Sequence, residues 1–159
     1  KLPRIMHKFP EFKNERLLVS EIGSLYKYAH DNKVIGDYPL NVVNSETALL
    51  LEKMGCEMVT LSPEVPNINE IQKYVRNTET IVYGRCDLMI LKDFYDKDKG
   101  LSLRNNMGDN FPIINGDYTT ILHHENIERI AQGNIRILLY DEDKKEILRL
   151  IEKYKKNFN

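Results

Sequence analysis

A strand signal followed by a helix signal recurs about every 20 residues through residue 91, and no other feature restricts the fold of this chain as much. Residues 16–22, RLLVSEI, are a compact apolar run that reads as a strand. Gly23-Ser24 breaks it, and Ser24 is a candidate N-cap for a short helix through Tyr28 and Ala29. Residues 40–44, LNVVN, read as the next strand. Ser45 then opens a helix carrying Leu49, Leu50, Leu51 and Met54, and Gly55 stands where a helix end needs a left-handed residue. Residues 57–62, EMVTLS, are β-rich, and Pro63 and Pro66 forbid a straight continuation. Asn67 with Glu70 matches a capping box ahead of a face of Ile68, Ile71 and Val75. Residues 80–84, TIVYG, run into CDLMIL at 86–91. Pro3-Arg4-Ile5-Met6 is a candidate extra strand.

This alternation predicts βαβ units and a parallel sheet, with the helices on one side by the right-handed crossover rule. About five strands fall short of the eight that close a barrel. The expected fold is therefore α/β: a partial (β/α) barrel of the TIM type over residues 1–91, followed by a small α+β segment over 92–159. The missing units are expected upstream, and a chain opening at Lys1 rather than Met fits a fragment.

Beyond residue 91 the rhythm changes. KDFYDKDKG at 92–100 reads as a charged loop. LSLRNN and FPIIN read as a hairpin around Met107-Gly108-Asp109-Asn110. Tyr118 to His123 is a further candidate strand, residues 125–132 a candidate short helix, and Ile135 to Tyr140 a strand. Asp143 and Glu146 match a capping box before an amphipathic helix of Ile147, Leu148, Leu150, Ile151 and Tyr154.

A net charge of -1 gives no global field to recruit nucleic acid. Cys56 and Cys86 are too far apart for a CxxC pair, and with no disulfide framework in view a reducing cytoplasm is the expected compartment. No apolar run is long enough to span a bilayer, and no signal peptide is visible.

In parallel α/β folds function collects at the carboxyl ends of the strands. Asn44-Ser45, Ser62-Pro63-Glu64 and Gly84-Arg85 stand at those ends. Asn44, Glu64 and Arg85 are therefore the candidate substrate-binding residues, an amide, a carboxylate and a guanidinium fork suited to a polar or anionic ligand. The competing reading makes Asn44 and Ser45 helix caps and Glu64 a loop carboxylate paired with Arg85. Asp37 falls at the opposite end of a strand that starts at residue 40. His123-His124-Glu125 invites a metal, but adjacent strand residues point to opposite faces, so no metal is assigned and a surface polar run is expected. Cys86 beside Arg85 is either a thiol nucleophile or a small core residue. No catalytic Ser/His/Asp set, GxSxG motif or Gly-rich phosphate loop is present, so the catalytic residues are unassigned.

IGDYPLNVVNS (35–45), VTLSPE (59–64), VYGRCDLMI (82–90) and LSLRNNMGDNFPII (101–114) resemble, in this order, segments of the collagenase-like peptidase family U-thirty-two. LPRI (2–5) and LLVSEIGSL (17–25) also resemble its segments, from the C-terminal part of its long members. The resemblance implies a (β/α)-barrel-like core, a small α+β tail and a peptidase activity of unassigned mechanism. Some relatives resemble RNA-modifying factors that hydroxylate pyrimidines and hold an iron–sulfur cluster on cysteines. Here KDFYDKDKG stands where those cysteines would follow, Arg104-Asn105 replaces an Asp-Arg pair, and Asp117-Tyr118 replaces a further cysteine. Lys and Asp cannot replace thiolates in such a site, so no cofactor is expected in this segment.

Two functions follow from the resemblance. One is a fragment of a collagenase-like peptidase family protein binding a peptide or protein at the carboxyl rim. The other is a non-catalytic part of an RNA-modifying factor. The expected partners are an upstream domain of the same protein, a peptide or RNA substrate, and, because a partial barrel leaves sheet edges, a second copy.

Overall fold

The computed structural model describes residues 1–5, 8–92, 102–116 and 118–157. Within these the elements are β1 (Arg16–Val19), α1 (Ile22–Tyr28), β2 (Lys33–Gly36), α2 (Ser45–Lys53), β3 (Cys56–Thr60), α3 (Ile68–Gln72), β4 (Thr78–Gly84), β5 (Asp87–Leu91), β6 (Ser102–Arg104), β7 (Asn110–Asn115), β8 (Thr119–Leu122), β9 (Ile127–Glu128), β10 (Asn134–Ile137) and α4 (Lys144–Tyr154). The chain divides into two units. One holds Lys1–Ile81, Ala131–Arg136 and Lys144–Asn159, and the other holds Val82–Ile130 and Ile137–Asp143. Strands β4 and β10 run from one unit into the other.

In the first unit β1, β2, β3 and β4 lie side by side in sequence order, every pair parallel. The expected α/β class with a parallel sheet is present. The register aligns Val19 with Gly36, Gly36 with Val59, and Val59 with Thr78. Leu17, Val19, Val34 and Val59 are buried on the sheet. Leu25 and Tyr28 of α1, Ala48 and Leu51 of α2, and Ile71 of α3 belong to the same core. Gly55, at φ +106, ends α2, and a Cβ there would stand 2.8 Å from that of Ala29. The glycine is required both by its backbone conformation and by the close approach.

Several sequence expectations move. The second strand is 33–36, not 40–44. Pro39 brings a fixed φ and no N–H, and Tyr38–Leu40 forms a 3-10 turn ended by Asn41 at φ 53. Val42 keeps one parallel bridge to Leu61 and is fully buried. The first strand stops at Val19, and α1 is capped by the Glu21 carboxylate, which accepts from the backbone N–H of Gly23 and Ser24. Ser24 is buried inside the helix rather than capping it. Asn67 precedes α3 without a side-chain capping bond. Residues 3–5 form no strand, although the Leu2 N–H donates to the Leu18 carbonyl; Met6 lies outside the described residues.

In the second unit β5, β8, β7 and β6 form an antiparallel sheet in that order. The expected hairpin is β6–β7, with Leu103 opposite Phe111. Asn105 shapes its turn, since Oδ1 accepts from the N–H of Met107 and of Asp109 while Nδ2 donates to the Asp109 carboxylate. The expected helix over 125–132 is absent. Its place holds β9, antiparallel to the end of β4 through Tyr83 opposite Glu128. A helix this short is marginal in water, and the edge of β4 offers backbone partners instead. The charged loop expected at 92–100 falls, beyond Lys92, outside the described residues.

Candidate functional site

Because the register aligns Val19, Gly36, Val59 and Thr78, the next residue of each strand forms one row across the sheet: Ser20, Asp37, Thr60 and Glu79. These residues close into a single polar network. Ser20 Oγ donates to Asp37 Oδ2 at 3.0 Å. Thr60 Oγ1 donates to Glu79 Oε2 at 2.9 Å. Arg136 of β10 spans the row, with Nη1 on Asp37 Oδ1 and Nη2 on both Thr60 Oγ1 and Glu79 Oε2. Lys1 Nζ lies 3.0 Å from Asp37 Oδ2, and the Tyr38 N–H donates to Asp37 Oδ1 at 2.9 Å.

Asp37 is fully buried, and the Arg136 side chain is 15% exposed. Burial pushes the Asp37 carboxyl upward, but Lys1 and Arg136, helped by the bonds from Lys1 and Tyr38, leave it below its ordinary value. The carboxylate is thus anionic and occupied by donors on both oxygens. Ser20 gains no general base from it, because an anion held by two cations is a poor proton acceptor. The row acts as a clamp across the sheet. Placing a strand at 40–44 hid Asp37 at the wrong end of it; Asp37 in fact follows β2 at the carboxyl rim. An Asp ahead of Tyr-Pro was the available signal, since an acidic N-cap before a proline-started turn is a recognisable pattern.

Asn44, the first candidate substrate residue, is exposed and caps α2: its Oδ1 accepts from the Thr47 N–H at 2.8 Å. Glu64 is exposed, and its N–H donates to Ser62 Oγ at 3.4 Å. The Ser62 N–H donates in turn to the Val42 carbonyl at 2.9 Å. Asn44 and Glu64 therefore follow two segments joined past the carboxyl ends of β2 and β3.

Arg85 belongs to the second unit, where its Nη1 donates to the backbone carbonyls of His123, at 2.9 Å, and His124. It holds the chain where β8 ends at Leu122. Past that end strand alternation no longer applies, and His123 and His124 stack, with ring centroids 4.6 Å apart. The Glu125 N–H donates to His123 Nδ1 at 3.1 Å. His124 packs against Phe111 at 5.0 Å, and its Nδ1 faces Asp109 Oδ1 at 3.7 Å. The His123 N–H donates to the Cys86 carbonyl at 2.9 Å. Cys86 is half-buried, and Arg129 interacts with it; burial, the larger influence, lowers the Arg129 guanidinium.

No family model, curated protein or solved structure matches this chain. Among the described residues no helix is long and apolar enough to cross a membrane.

Proposed function

We propose that this chain is a piece of a collagenase-like peptidase family protein, part of a (β/α)-barrel-like wall whose carboxyl rim binds a peptide or protein through Asn44 and Glu64. The observation that carries this reading is the run β1–β2–β3–β4, parallel and in sequence order, with a helix between each strand and the next. Barrels of this class grow in that order, and their ligands meet the carboxyl ends of the strands. Glu64 and Asn44 are exposed beyond those ends. The motifs at 35–45, 59–64, 82–90 and 101–114 supply the family.

The buried hydroxyls of Ser20 and Thr60 both donate to carboxylates held by Arg136, so neither is assigned as a nucleophile. The compartment we assign is the cytoplasm, which suits two free thiols, Cys56 and Cys86.

The test is binding of a fluorescent gelatin fragment, followed by anisotropy. Glu64→Gln, and Asn44→Ser, which keeps a capping oxygen, should each weaken binding about tenfold without moving the melting temperature. No gelatin binding, with tight and steeply salt-dependent binding of single-stranded RNA instead, transfers the chain to the RNA-modification reading.

A further inference from the structure

We infer that the end of β8 is a binding site for one divalent ion of the late transition series, held by His123, His124 and Glu125. Each residue offers one donor atom, and these atoms lie within 4.8 Å of one another. Two imidazoles and a carboxylate are the donor set that such ions favour over calcium or magnesium. Donors bound about 2.1 Å from one ion stand at most about 4.2 Å apart, so the group closes by a small rotation.

Three features outside the donor set prepare the site. Arg85 holds the carbonyls of His123 and His124 and so fixes the bend that places both rings on one side. Asp109 Oδ1 stands 3.7 Å from His124 Nδ1, so a shift of under about 1 Å would let the carboxylate accept from Nδ1–H, orient the imidazole and leave Nε2 for the ion. Asn105 in turn anchors Asp109 by donating to its other oxygen at 2.8 Å.

The two rings stack with their planes 29° apart, so their lone pairs lie in nearly parallel planes and convergence on one ion requires one ring to turn. Phe111 packs against His124, and Asp109 stands beside its Nδ1. His123 is tied by a single bond from the Glu125 N–H to Nδ1, and it is the ring that turns, giving up that bond to the ion.

The experiment titrates the purified chain with Zn²⁺ against a chelating dye and with Co²⁺ by absorption. The wild type should bind one ion. His123→Ala and His124→Ala should each lose at least about 100-fold in affinity, and Asp109→Asn about 10- to 100-fold. His30→Ala, at the exposed His30–Asp31 pair of the first unit, should leave affinity unchanged. Because substitutions at a half-buried pair can disturb folding, a second measurement uses the wild type alone: Zn²⁺ should protect His123 and His124 from diethylpyrocarbonate. A wild-type dissociation constant of about 1 mM or weaker overturns the site. So does wild-type affinity in both histidine variants, or unprotected histidines at saturating Zn²⁺.

Discussion

Asp37, just past the end of β2, and Arg136, in β10, form a buried ion pair across 99 residues of sequence. The pair ties a late strand to the carboxyl end of the parallel sheet. Removing one partner of such a pair strands the other charge in the interior. Arg136→Ala should cost about 3–5 kcal/mol and lower the melting temperature by roughly 10 °C. Arg136→Lys should recover only part, because an ammonium cannot reach Asp37, Thr60 and Glu79 as a fork does. A melting temperature unchanged in Arg136→Ala would show that the clamp contributes nothing to stability.

The same carboxylate sets an acid limit. Its pKa is lowered in the fold, burial being outweighed by Lys1 and Arg136. The sign follows directly: the stabilisation is full above the ordinary Asp value of about 3.9 and is lost as pH falls through the lower folded value. Urea midpoints should fall through that acid window in the wild type. In Asp37→Asn, which is less stable at neutral pH, the fall should be shallower. Parallel curves would remove Asp37 as the cause.

At the alkaline end the group to watch is Cys56. Burial pushes its thiol up to about 11, with Glu52 adding to the rise and a backbone bond from Gly36 opposing it. An acid whose folded pKa is raised stabilises the fold below its unfolded value, about 8.5, and that contribution disappears as pH climbs through about 11. Cys56 should therefore resist a disulfide reagent at pH 8 and react once urea unfolds the chain. Rapid labelling of the native protein at Cys56 would contradict its burial.

Gly55→Ala tests the end of α2. The φ of +106 strains any side chain, and the new Cβ would meet that of Ala29 at 2.8 Å. A loss of more than about 1 kcal/mol is expected. Adding Ala29→Gly should return the steric share and leave the backbone share, so the double variant should melt between Gly55→Ala and the wild type once the cost of Ala29→Gly alone is subtracted.

Much of the local structure was legible in the residues. The strands expected at 16–22, 57–62 and 80–84 stand at 16–19, 56–60 and 78–84, and with the helix from Ser45 to its glycine stop and the β6–β7 hairpin they rest on short-range rules, period and turn chemistry. Asn44 as a cap was legible for the same reason. The strand at 33–36 was concealed, because four residues between Asn32 and the Asp37 turn carry only Val34 and Ile35 as apolar signal. Residues 125–132 failed differently: their weak helical pattern yielded to the open edge of β4.

What the sequence by itself determined is the alternation of strands and helices, and with it the parallel sheet, since that follows from hydrophobic periodicity and the handedness of crossovers. The tertiary structure decided which polar residues meet. Asp37 finds Arg136, and Arg85 finds the carbonyls of two histidines, through strand register and the return of the chain from residue 131 onward. No local pattern records these meetings, because an ion pair or a hydrogen bond depends on distance in space and leaves no period along the chain.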